Sequence, residues 1–104
     1  MFKIGEFSKL SHLTVKALRF YEKEGLLVPK SVDEWTGYRF YDSSQLEDAM
    51  KIRAYRQLGL TIEEIKAISH GANKKVILAA KAESLCAQKL DIDVRLSMIN
   101  HILE

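Results

Sequence analysis

Thr14-Val15-Lys16-Ala17-Leu18-Arg19-Phe20-Tyr21-Glu22-Lys23-Glu24-Gly25-Leu26-Leu27 is the stretch that decides the fold, together with Gly37-Tyr38-Arg39-Phe40-Tyr41 beyond a polar interval. Thr14 is a suitable N-cap, because its hydroxyl can accept from an otherwise orphaned backbone N–H of the first helical turn. Val15 and Leu18, three apart, predict an inward face. Lys16, Arg19 and Lys23, spaced three and four apart, fall on a different stripe of the same helix. Gly25 is placed to end the helix in the left-handed conformation.

The flanking segments extend the pattern. Ile4, Phe7 and Leu10 predict a short helix before Thr14, with a turn at Ser11-His12-Leu13. Leu26 to Val28 reads as a strand stopped by Pro29. Ser31 to Gly37 is polar and turn-prone apart from Val32 and Trp35, and Tyr38 to Tyr41 reads as the return strand of a hairpin. Alternation puts Tyr38 and Phe40 on one side, Arg39 and Tyr41 on the other. Phe40 is expected in the core and Arg39 at a contact surface. Ser44-x-x-Glu47 and Thr61-x-x-Glu64 are capping-box patterns. The first opens a helix to about Leu58, closed by Gly59. The second opens a shorter helix with Ile62, Ile65 and Ile68 inward.

From Lys74 to the C-terminus no Gly or Pro interrupts a helical pattern, which at ~1.5 Å per residue extends about 45 Å. Leu78, Leu85, Ile92 and Ile99 recur every seven residues, and Ala82, Lys89, Leu96 and Leu103 follow each by four. That is a heptad seam interrupted by one lysine. A domain this small cannot bury it, so a second copy of the chain is the simplest partner. The expected organisation is a winged helix-turn-helix domain over residues 1–70, a hinge at 71–73 and a dimerisation coiled-coil helix over 74–104. The fold class is mainly α with a small β-hairpin wing.

Composition bounds the function. The net charge is +2, and all of the excess lies before residue 61. Any phosphate binding must rest on where the cations sit, not on bulk charge. No apolar run approaches the ~18 residues of a membrane span, and the N-terminus does not read as a signal peptide. The single cysteine, Cys86, excludes an intrachain disulfide and fits a reducing cytoplasm. His12, His70 and His101 are scattered, and no Cys or His cluster has ligand spacing, so no metal or cofactor is expected. Cys86 reads as a half-buried thiol near the dimer interface. Glu22, Glu24, Glu63 and Glu64 read as helix-surface or capping charges, and nothing suggests an enzyme.

The residues that carry chemistry are basic and aromatic. Lys16 can reach a base edge or phosphate from a helix in the major groove, and Ala17 can meet a thymine methyl. Arg39, between Tyr38 and Tyr41, suits a phosphate fork or a narrow minor groove. Arg53 and Arg56, three apart on the third helix, can add backbone contacts.

Taken together, Ile4-Gly5-Glu6, Thr14 through Glu22, Glu24 through Leu27, Gly37 through Tyr41 and Leu58 through Ile65 resemble the N-terminal domain of the MerR family of transcription regulators. Order and spacing hold to about Ile68, and the long helix follows where that family has its dimerisation helix. The resemblance implies an antiparallel coiled-coil homodimer on a promoter pseudo-palindrome. The dimer bends and untwists an overlong spacer, and so acts on RNA polymerase indirectly through the promoter. It implies that Lys16, Ala17 and Arg19 lie in the major groove, at the start of the helix capped by Thr14. Phe20, Tyr21, Tyr38, Arg39 and Arg56 lie at or near the phosphate backbone. Phe20 departs from the family, which usually has tyrosine there, so a hydroxyl contact is not available. The stretch Asp33 to Arg39 resembles the multidrug-sensing branch, whose C-terminal effector domain for lipophilic compounds is not in this sequence. A small-molecule effector is therefore expected only if the chain is a fragment, which is the preferred reading. Two alternatives remain: a coiled-coil interaction module that keeps the fold without specific DNA binding, and a small excisionase-like binder without the dimer helix.

Overall fold

The computed structural model describes residues 1–104. In order they form β1 (Phe2–Lys3), α1 (Ile4–Ser11), α2 (Val15–Lys23), β2 (Ser31–Val32), β3 (Arg39–Tyr41), α3 (Ser44–Gln57), α4 (Ile62–Ser69) and α5 (Lys74–Leu103). The chain divides into two compact units, Met1–Ser69 and His70–Glu104. The first is a winged helix-turn-helix with a three-stranded antiparallel sheet in the order β1-β3-β2.

The core of the first unit is Phe7, Leu13, Leu18, Tyr21, Leu27, Tyr41, Ala49, Ile52, Leu60 and Ile65. Phe7 and Tyr41 stack with ring centroids 4.4 Å apart and planes within 10°, tying α1 to the middle strand of the sheet. Alternation gives the two sides of β3 correctly but not which side is inside. Tyr41 is fully buried and Phe40 only half-buried, because the face carrying Arg39 and Tyr41 is the one turned to the helices. In α1 the inward positions are Phe7 and Ser11, while Leu10 is exposed. Six residues from Ile4 is well off the face that Ile4 starts, whereas i and i+4 stay together.

Local chemistry explains the helix ends. The α1–α2 turn is held by Ser8 Oγ donating to the Leu13 carbonyl and by buried Ser11 Oγ accepting from Leu13 N at 3.3 Å. α2 and α3 both end in a Schellman motif. After α2, Gly25 N donates to the Glu22 carbonyl and Leu26 N to the Tyr21 carbonyl. After α3, Gly59 N donates to the Arg56 carbonyl and Leu60 N to that of Tyr55. Both glycines have positive φ, 70° and 88°, which a side chain would disfavour.

The first of these motifs removes the strand expected at Leu26 to Val28. The N–H groups of both Leu26 and Leu27 donate to the Tyr21 carbonyl, so they cannot serve a ladder. The strand forms later, at Ser31–Val32, paired with Phe40 and Arg39. The opening of α3 also shifts. Ser44 is not its cap; Asp42 and Gln45 form the reciprocal pair instead. Asp42 Oδ1 accepts from Gln45 N, and Gln45 Oε1 accepts from Asp42 N. Gln45 also donates from Nε2 to the Val28 carbonyl at 2.6 Å, fixing the approach to the wing. The Ser44 hydroxyl, foremost, holds the Asp42 carboxyl below its ordinary range. The Thr61/Glu64 box forms as expected, with bonds of 2.9 and 3.1 Å.

In the second unit α5 is a single helix of 30 residues, N-capped by Asn73 through Lys75 N and Val76 N, with no buried residue. Cys86 is exposed on the single chain. No helix is long and apolar enough to cross a membrane.

The Tyr41 hydroxyl is buried and no protein group hydrogen-bonds it. Burial, foremost, raises its pKa above the usual phenol value. Leaving a buried donor unpaired costs about 1–3 kcal/mol. Tyr41→Phe is therefore expected to keep or raise the urea midpoint, while Phe7→Ala removes the stack and costs about 3–5 kcal/mol. Equilibrium urea unfolding followed by circular dichroism checks both.

Candidate nucleic-acid interface

α2 presents its basic stripe as the spacing predicts. Lys16, Arg19 and Lys23 are exposed, and Leu18 and Tyr21 are buried beneath them. Thr14 caps the helix, its hydroxyl oxygen accepting from Ala17 N at 3.0 Å. Ala17 is half-buried at that first turn. Phe20 is exposed and tilted against Tyr21 at 6.0 Å between centroids. Tyr21, expected near the phosphate backbone, is only 6% exposed. Its ring belongs to the core, and its main role is to support the helix.

The wing is built on Asp33. Its carboxylate accepts from Trp35 N at 2.8 Å and Thr36 N at 2.9 Å, and its backbone N–H donates to the Tyr38 carbonyl. These backbone donors, Thr36 first, hold the Asp33 carboxyl below its ordinary range. Gly37, at φ 73°, completes the turn. Trp35 sits in it 94% exposed.

The first unit brings part of the expected set together. Arg19 from α2 and Tyr38 and Arg39 from the wing line one open cleft of about 540 Å³. Lys3 and Lys9 line it too, and sequence reasoning missed both. Lys3 Nζ lies 4.8 Å above the Tyr38 ring, a cation–π contact. Glu6 is the one carboxylate in the lining, and its Oε1 accepts from Lys3 N at 3.2 Å. Four cations thus surround a cleft in a chain whose net charge is only +2.

Arg39 is not free. Its Nε donates to Glu22 Oε1 on α2, and both side chains are partly buried. Glu22, foremost, raises the Arg39 pKa further above its ordinary value. Glu24 similarly accepts from Lys66 of α4 at 2.7 Å, and Lys66 foremost pulls its carboxyl below the ordinary value. Glu22 and Glu24 are thus tertiary ion-pair partners, not the plain surface charges expected from sequence.

Lys16 and Phe20 lie outside the cleft lining, as do Arg53 and Arg56 on α3. Arg53 is half-buried, and Arg56 donates from Nη1 to the Leu60 carbonyl at 2.9 Å. On α5, the seam positions Leu85, Ile92, Leu96, Ile99 and Leu103 are exposed, with Ala82 and Lys89 between them, while Leu78 is half-buried. A second exposed apolar row, Leu90, Val94, Met98 and Ile102, escapes the sequence pattern. Its four-residue spacing is masked by the heptad. No three His, Cys, Asp or Glu side chains converge as a metal site would require.

A capped basic helix beside an arginine-bearing wing defines a winged helix-turn-helix of the nucleic-acid-binding type. The chain belongs to the MerR HTH family of regulatory proteins, whose sequence profile matches residues 2–71. It is 43% identical over 65 residues to the multidrug-efflux transporter 1 regulator of Bacillus subtilis, covering 62% of this chain and 23% of that protein. It is 37% identical over 70 residues to the HTH-type transcriptional regulator CueR of Vibrio cholerae, covering 67% of this chain and 50% of that one. The chain thus spans half or less of the length of either relative. Among solved structures, the EcmrR–DNA complex in EcmrR-RPo superposes with a TM-score of 0.89 at 41% identity, covering 98% of this chain and 38% of that one.

Thr14→Ala should cost about 1 kcal/mol, the usual loss for an N-cap, and fray the first turn of α2 around Lys16 and Ala17. Thermal unfolding, with amide exchange at Ala17, measures both effects.

Proposed function

We propose that the chain is the DNA-binding and dimerising part of a transcriptional regulator. It binds double-stranded promoter DNA as a homodimer at a pseudo-palindrome. The observation that carries this reading is the pairing of α2's exposed basic stripe with the cation-lined cleft at the wing, in a family of regulators. Lys16 and Ala17 read base edges in the major groove, with Arg19 beside them and Thr14 and Phe20 at the flanks. Tyr38 and Arg39 engage the phosphate backbone, with Arg53 and Arg56 as further backbone contacts and Tyr21 as support. Bending and untwisting of the spacer then acts on RNA polymerase through the promoter.

Dimerisation is assigned to the α5 seam of Leu78, Ala82, Leu85, Lys89, Ile92, Leu96, Ile99 and Leu103. Residues 1–70 form the DNA-binding domain, 71–73 the hinge and 74–104 the dimer helix. The Asp33 to Arg39 stretch favours the multidrug-sensing branch, in which a small-molecule effector would bind a further domain. The regulator acts in the cytoplasm, and its role is binding without catalysis.

Removing one neutralised phosphate from an interface lowers the salt dependence of binding by about 0.9 in log–log slope. Arg39→Ala is thus expected to weaken binding to DNA from upstream of the chain's own coding sequence and to lower the slope by close to two per dimer. Unchanged affinity and slope in a fluorescence-anisotropy salt titration would remove the wing from the interface.

The seam is tested by placing lysines in it. Leu85→Lys with Ile92→Lys is expected to give a monomer by light scattering, with much weaker DNA binding. A dimer that persists would contradict the assignment.

A further inference from the structure

Glu22 presents a conflict. A carboxylate stands against the arginine that the proposed function assigns to a DNA phosphate. By Coulomb's law alone it would repel the phosphate and weaken binding. The geometry shows what it can supply instead. Glu22 Oε1 takes only the Nε–H of Arg39. A guanidinium has five N–H donors in a rigid planar fork. With Nε held from α2, the four N–H bonds on the Nη atoms remain, and no other partner holds them. Arg39 lines the cleft shared with Lys3, Lys9 and Arg19.

We propose that Glu22 is a positioning residue: it fixes the plane of the Arg39 guanidinium so that the Nη edge meets a backbone phosphate seated among Lys3, Lys9 and Arg19. The inference deepens the DNA-binding reading and rests on it. Its physical basis is preorganisation. An arginine held in the binding geometry loses less side-chain freedom when the phosphate arrives, and planar bidentate recognition of phosphate depends on orientation. The contact also joins α2 to β3, 17 residues apart in sequence, so it sets the wing and the recognition helix in register on the duplex. Lys3 and Lys9 supply charge at the same phosphate from β1 and α1, so the site draws on four elements.

The test separates positioning from charge by the sign of the effect. Glu22→Ala and Glu22→Gln remove the same negative charge, but only glutamine keeps an acceptor for Arg39 Nε. Binding of the full chain to labelled duplex from upstream of its own coding sequence is measured by anisotropy across a salt series. Melting curves confirm that each variant is folded. Positioning predicts that Glu22→Ala weakens binding about tenfold, the scale of one charge-assisted hydrogen bond, and lowers the salt slope. Glu22→Gln should recover most of the affinity. In an Arg39→Ala background, Glu22→Ala should have no further weakening effect. A plain charge effect predicts the reverse, with both single variants binding more tightly and by similar factors, and that result overturns the proposal. Equal weakening by Glu22→Ala with and without Arg39 also overturns it. If Glu22→Ala does not fold, the Glu22→Gln sign and its coupling to Arg39→Ala decide the matter. Failure of the unaltered chain to bind DNA overturns the functional reading itself, a result distinct from wild-type binding with tighter-binding Glu22 variants.

Discussion

The stacked pair of Phe7 and Tyr41 is the contact on which the first unit depends. It is fully buried and joins α1 to the middle strand. Both other strands pair with that strand, so the wing is anchored through it. The same strand face that buries Tyr41 carries Arg39 toward Glu22 on α2. Packing and recognition therefore share one strand. A shift of one residue in its register would turn Tyr41 out of the core and Arg39 away from the helix together. The unpaired Tyr41 hydroxyl marks where the arrangement is not optimised for stability.

Electrostatic placement matters more here than total charge. The chain is nearly neutral, yet Lys3, Lys9, Arg19 and Arg39 meet at one cleft. Carboxylates near the basic elements are held by defined partners. Glu6 accepts from Lys3 N, Glu22 from Arg39, Glu24 from Lys66, and Asp33 from its own turn. Glu22 and Glu24 are engaged in tertiary ion pairs and Glu6 and Asp33 in local backbone bonds, while Lys16, Arg19 and Lys23 stand exposed along α2. Exposed surface pairs are worth little in stability; the partly buried Glu22–Arg39 pair matters for orientation.

How much of the fold is legible in the sequence follows from the range of each interaction. The Thr14 cap, the Thr61/Glu64 box and the glycine stops at Gly25 and Gly59 are encoded within a few residues, and each forms as its sequence predicts. The basic stripe of α2 needs only helical periodicity. The two-residue strands β1 and β2 are too short for alternation to register. The apolar run at Leu26–Val28 points to a strand there instead, where the helix terminus takes the N–H groups. Which face of β3 is buried depends on α1, and the pairing of Glu22 with Arg39 depends on tertiary approach. Lys3 joins the site because β1 pairs with β3, and Lys9 because α1 packs against that strand, neither of which a local pattern announces. On α5 the heptad is plain, but it overlies the second apolar row at Leu90, Val94, Met98 and Ile102.

On the proposed function, a nearly neutral chain places its cations to read one DNA site as a symmetric pair. The most direct measurement is hydroxyl-radical footprinting of the purified chain on the region upstream of its own coding sequence, at low and moderate salt. The expected result is two protected patches related by two-fold symmetry and a distorted centre between them, with protection fading as salt rises. Absence of protection at low salt, or uniform protection with no preferred sequence, would contradict it.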